Sequence, residues 1–174
     1  MKFNRRFFIK SGIGAGVLAA QGCLSAAGPG NTTIPQLDKA AAAPVLKIPS
    51  IKSPVKIASI ELLRGGKNYF VRTRSTDGAL GVAVTNSRAA YLYPILQQLV
   101  IPYFIGKDAR DLDSLIDGVY VYRSNYKLSG VALWCCVAWV EFSLLDLLGK
   151  IEGKPVGELL GGVIRREIPI YVAS

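Results

Sequence analysis

Histidine is absent from all 174 residues. That absence removes every Ser-His-Asp triad, Cys-His dyad and His-ligated metal site from this chain. Cysteine is nearly absent too: three residues are too few for a disulfide framework. Cys135 and Cys136 are neighbours, pointing about 100° apart if helical. With no CxxC spacing, neither a zinc ribbon nor a redox motif is expected. Acids are scarce, 12 against 21 Lys and Arg, for a net charge of +9. The bases are nevertheless scattered, with no basic run and no stripe interleaved with aromatics, so nucleic acid is not an expected partner. A membrane span needs about 20 apolar residues. The N-terminal apolar run is too short and glycine-rich, and the apolar stretch after Gly130 is interrupted by Glu141 and Asp146, each costly at about 2.5–3.5 kcal/mol near mid-bilayer. With 51% hydrophobic and 19% charged residues, the chain is too apolar for disorder and too charged for a multispanning protein.

What is present begins with an address. Lys2, Arg5, Arg6 and Lys10 precede a Gly- and Ala-rich stretch from Ser11 to Ala20, and small residues follow at Ser25-Ala26-Ala27. Basic, apolar, small is the order of an export signal. Arg5-Arg6-Phe7-Phe8-Ile9-Lys10 resembles a twin-arginine signal, with Asn4 in place of the usual Ser or Thr. The expected location is periplasmic, with residues 1–27 removed and the net charge lowered from +9 to +5. Cys23, preceded by Gly22, is a candidate for lipidation and a membrane anchor; the alternative is a cysteine discarded with the signal. Residues 28–54 carry Pro35, Pro44, Pro49 and Pro54 and read as an extended linker.

From Val55 an α+β pattern emerges. Residues 55–62 alternate, 64–68 form a turn, 69–75 alternate again, Thr76-Asp77-Gly78-Ala79 is a tight turn, and 80–84 is a third strand. The sum is a three-stranded antiparallel meander. A three-helix bundle follows. The first helix, 89–100, has Ser87 as its cap, a stripe of Tyr91, Ile95, Leu96 and Leu99, and Pro102 as its end. The second covers 111–122. The third, 130–149, stops at Gly149 and is apolar nearly all round, so it requires cover on more than one side. On that helix Asp146 is placed to pair with Lys150 at i,i+4.

The string from Asp146 through Leu147-Leu148-Gly149-Lys150 to Gly161-Gly162, followed by Ile168-Pro169-Ile170-Tyr171-Val172-Ala173-Ser174, resembles the junction of the enolase superfamily. In its mandelate racemase and muconate lactonising group, an α+β capping domain joins a (β/α) barrel at this point. The upstream order agrees: the hairpin over residues 71–83, the segment from Ile101 to Leu115, then the long helix. Two departures stand out. Gly81-Val82-Ala83-Val84 lacks the family's glutamate, and Glu141-Phe142-Ser143-Leu144-Leu145-Asp146 replaces its D-x-A-L-W-D.

The resemblance implies a capping domain over residues 55–164, with 165–174 starting a barrel whose remainder this sequence does not include. It implies an isomerase or lyase that removes a proton α to a carboxylate, with Mg²⁺ as cofactor of the full-length enzyme and a carboxylate or acid sugar as substrate. No catalytic or metal residue is expected within the 174. Two capping loops would touch substrate, 63–68 and 84–88. Arg64 and Lys67 are candidates for an anionic group and Asn86 and Ser87 for hydroxyls; the alternatives are a solvated turn and a helix cap. A non-catalytic exported interaction module remains the other reading. Either way the isolated chain is expected to self-associate or to need a barrel, with one side of Leu133, Trp134, Val137, Val140 and Leu144 uncovered.

Overall fold

The computed structural model describes residues 32–128 and 130–170. Arg5, Arg6 and Cys23 lie outside them. The chain divides into two units, residues 1–44 and 45–174.

In the first unit, Ile34–Ala42 forms a helix, α1, where an extended linker is expected. Pro35 sits in its first turn, where no helical N–H is lost, and Gln36 Oε1 accepts from the Thr33 N–H at 2.8 Å. The alanines that follow are the best helix formers.

The second unit opens with residues 45–51, whose Leu46, Ile48 and Ile51 pack on the core. Strands β1 (Ile57–Gly65), β2 (Asn68–Ser75) and β3 (Leu80–Val84) form one antiparallel sheet in the order β1-β2-β3. This is the meander the alternation predicts. Gly66, at φ 61°, opens the two-residue turn into β2.

The helical layer is α2 (Ala89–Ile95), a wider π turn (Leu96–Val100), α3 (Ile101–Phe104), α4 (Leu112–Val121), α5 (Val131–Glu152) and α6 (Val156–Leu159). Pro102 does not end the first helix. It falls in the first turn of α3, where its missing N–H costs nothing. The buried line is Ala89, Leu96, Val100 and Phe104, while Tyr91 is 78% exposed. Between α4 and α5, Arg123 and Ser124 both take positive φ.

Helix α5 continues past Gly149 and stops at Gly153, which takes the left-handed conformation at φ 69° and donates its N–H to the Gly149 carbonyl. Gly149 instead lies buried within the helix, where a Cβ would meet the Lys154 carbonyl at 2.8 Å. By length and apolarity α5 would pass for a membrane span. Its Leu133, Val137, Val140 and Leu144 are nevertheless at most 1% exposed, under the sheet and the other helices. The expected bare flank is covered; of the five residues named for it, only Trp134 remains at the surface.

Gly81 sets how closely β3 approaches α5. A Cβ there would collide with the Ser143 carbonyl and sit 2.7 Å from Leu147 N, so glycine lets the strand lie directly on α5. Asp146 Oδ2 closes the contact, accepting from Val82 N–H at 2.8 Å and from Lys150 Nζ at 2.6 Å. Residues 168–170 belong to no strand, and Ile168 and Ile170 are exposed.

Candidate functional site

The four candidate substrate-contact residues gather at one end of the sheet. The β1–β2 hairpin closes there through the pairs Arg64–Tyr69 and Gly65–Asn68. The chain leaving β3 stays at the same place, because Thr85 gives both its N–H (2.9 Å) and its hydroxyl (3.1 Å) to the Tyr69 carbonyl. Residues 64–68 and 85–88 are therefore neighbours across β2.

Their side chains differ in freedom. Arg64 is held: its Nε donates to the Gly66 carbonyl at 3.1 Å, and its guanidinium lies 5.6 Å from the Tyr69 ring centroid. Asn86 is spent on structure. Its Oδ1 accepts from Arg88 N–H at 2.9 Å, an i,i+2 bond that holds the turn before α2, and its Nδ2 lies 3.9 Å from Cys135 Sγ on α5. Ser87 is not the cap: Arg88 stands at the helix N-cap, and no side chain caps the helix. Ser87 and Lys67 are exposed and hydrogen-bond to no described residue.

Two residues beyond the four belong to this surface. Arg88 adds a third exposed cation, so residues 64–68 and 84–88 hold Arg64, Lys67 and Arg88 and no carboxylate. Tyr69 is the platform under Arg64. The pairing of Tyr69 with Arg64 comes from the register of the hairpin, because β1 runs on through Arg64 and Gly65, which the sequence pattern assigns to the turn.

A family model described as "Mandelate racemase / muconate lactonizing enzyme, N-terminal domain" matches residues 41–161. The chain belongs to this family. It is similar to a D-mannonate dehydratase of Caulobacter vibrioides, 32% identical over 109 residues, covering 61% of this chain and 27% of that protein. It is also similar to an L-rhamnonate dehydratase of Saccharopolyspora erythraea, 28% identical over 138 residues, covering 79% and 34%. Among solved structures, a mandelate racemase/muconate lactonizing protein from Paracoccus denitrificans is 26% identical with a TM-score of 0.57, over 64% of this chain and 31% of that one. The chain thus spans about a third or less of the length of these relatives.

Among the described residues no three Cys, Asp or Glu side chains converge. A mandelate racemase/muconate lactonizing protein from Paracoccus denitrificans has been solved complexed with magnesium. Asp146 is committed to Lys150 and Val82. An open concavity of about 580 Å³ lies at the opposite end of the sheet, beside Lys56, Tyr103, Lys107, Asp108 and Ser114. Lys107 Nζ sits 2.8 Å from the centroid of the Tyr103 ring, and burial lowers its pKa. The carboxylate there is taken: Asp108 accepts from Val55 N–H and forks with Arg110, its Oδ2 2.8 Å from Nη2.

Proposed function

We propose that this domain is the substrate-facing cap of an exported, Mg²⁺-dependent enzyme acting on a sugar-acid carboxylate, a dehydratase or related isomerase. The observation that carries the reading is the carboxylate-free end of the sheet, where Arg64 is preset on Tyr69 while Lys67 and Ser87 stay free. A cap over an anionic substrate needs cations that are desolvated only on closing, and hydroxyl partners without internal obligations. The names of the relatives, dehydratases of mannonate and rhamnonate, support the substrate class. Proton removal and metal binding fall to the catalytic domain of the whole enzyme; no step of that chemistry is assigned to residues described here.

The test is a purified enzyme containing these residues, assayed on six-carbon sugar acids for 2-keto-3-deoxy product. Lys67→Ala is expected to raise KM several-fold and leave kcat nearly unchanged, the pattern of lost uniform binding. A folded enzyme that turns over no sugar acid returns the interaction-module reading. Export is tested separately. Mature protein is expected to begin near Gly28 or to carry lipid on Cys23, and Arg5→Lys with Arg6→Lys is expected to keep the precursor inside the cell. Periplasmic protein that retains Met1 would refute cleavage.

A further inference from the structure

The end of the sheet away from the basic loops carries a second group of cations. Residues 106–108 run beside the start of β1. Ile57 N–H donates to the Lys107 carbonyl at 2.9 Å, Gly106 N–H donates to the Ile57 carbonyl at 2.8 Å, and the backbone of Lys56 pairs with that of Asp108. Lys56 and Lys107 thereby enter the wall of one concavity, of about 580 Å³, together with Tyr103, Ser114 and Leu115.

Both carboxylates of that wall belong to Arg110. Asp108 forks with its guanidinium, Oδ2 lying 2.8 Å from Nη2, and Asp111 faces the same charge. The two lysines are left without a counter-ion: neither ammonium has a hydrogen bond or ion pair with a described residue. The Lys107 ammonium rests instead on the Tyr103 ring, 2.8 Å from its centroid. Burial lowers its pKa, and no acid offsets the shift. An ammonium partly withdrawn from water gains from an oxyanion more than a fully solvated one does. The Ser114 hydroxyl, at the exposed start of α4, also has no partner among the described residues. The volume exceeds what an inorganic ion needs and falls in the range of organic-ligand pockets, about 300–1,000 Å³.

We propose that this concavity binds a small organic oxyanion, a phosphate ester or carboxylate, with its charged group between Lys56 and Lys107, a hydrogen bond from Ser114, and its apolar part on Tyr103 and Leu115. The proposal is independent of the capping reading, because the site lies at the opposite end of the sheet from Arg64 and Lys67 and uses none of the same side chains.

The test is a lysine footprint. The 174-residue chain is acetylated with limiting acetic anhydride, and each lysine is read by mass spectrometry. The additions compared are phenyl phosphate, benzoate, inorganic phosphate and sodium chloride, at matched ionic strength. Phenyl phosphate or benzoate at ten times its Kd is expected to slow acetylation of Lys56 and Lys107 roughly tenfold. The tighter of the two identifies the charged group as phosphate or carboxylate. In calorimetry, Lys56→Gln and Lys107→Gln are each expected to weaken binding roughly tenfold, the scale of one charge-assisted hydrogen bond. Equal slowing by sodium chloride would mean screening alone and overturns the site. Inorganic phosphate protecting as well as phenyl phosphate overturns the organic ligand. Protection confined to Lys67 also overturns the proposal, since it would place the anion at the basic loops. Should Lys107→Gln not fold, Lys56→Gln and Ser114→Ala decide, both at exposed positions; unchanged affinity in both overturns the site.

Discussion

The Thr73 hydroxyl lies 2.6 Å from the Ser143 hydroxyl, with both residues fully buried between β2 and α5. Ser143 gives its own proton to the Val140 carbonyl at 2.8 Å, so Thr73 is the donor of the pair. The sheet is thereby stitched to the long helix by a directed polar bond in an otherwise apolar contact. Ser143→Ala strands the Thr73 donor and is expected to cost about 1–3 kcal/mol. Adding Thr73→Val removes the stranded group, so the double variant is expected to be more stable than the sum of the two singles. A coupling of roughly 1 kcal/mol in urea unfolding checks this.

Gly81 sets how closely the same two elements approach. Alanine there meets the Ser143 carbonyl and the Leu147 backbone, neither of which is a flexible tip. Gly81→Ala is expected to destabilise by about 3 kcal/mol or more, or to prevent folding. Gly65→Ala is the control. Its Cβ would press only the Phe70 ring, at 3.2 Å, and a small loss in melting temperature is expected.

Asp108 ties the start of the folded unit to the segment before α4. Burial alone would raise its pKa. The hydrogen bonds from the Arg110 side chain and backbone and from Val55 N–H, with the Arg110 charge, outweigh burial and hold it below the usual carboxylate value. A depressed folded pKa gives stability that is present above the unfolded value and lost as pH falls through the folded one. Thermal unfolding is therefore expected to lose stability as the pH drops below about 4. Asp108→Asn is expected to cost about 2 kcal/mol at neutral pH and to flatten the acid limb. An unchanged acid limb would show that other carboxylates govern it.

The meander was legible because strand alternation and the Gly66 and Gly78 turns are local signals, read two residues at a time. The helices were legible as segments but less so as ends. Gly149 and Gly153 look alike in sequence, and only packing shows that the first is buried against the Lys154 carbonyl while the second takes the left-handed turn. Pro102 was misleading for a similar reason, since a proline stops a helix only where an N–H is needed. At the candidate site, residue types identified the loops. The division of labour between Asn86, which holds the turn through Arg88 N–H, and Ser87, which is free, depends on backbone geometry that a single sequence does not carry.

That division of labour gives the last prediction. Asn86 Oδ1 holds the turn into α2 through Arg88 N–H, so Asn86→Ala is expected to destabilise the chain by about 1 kcal/mol, as the loss of one side-chain-to-backbone hydrogen bond does. Lys67 has no hydrogen bond or ion pair with a described residue. Lys67→Ala is therefore expected to change stability by less than about 0.5 kcal/mol. Arg64→Ala falls between, giving up one bond to the Gly66 carbonyl and the Tyr69 face. Denaturant titration of the three variants fixes this order before any substrate is involved. If the order holds, a rise in KM from Lys67→Ala in the whole enzyme reports substrate contact directly, because folding has been removed from the comparison. A Lys67→Ala chain as destabilised as Asn86→Ala would mean that the lysine supports the turn, and its proposed role toward the substrate carboxylate would lose its basis.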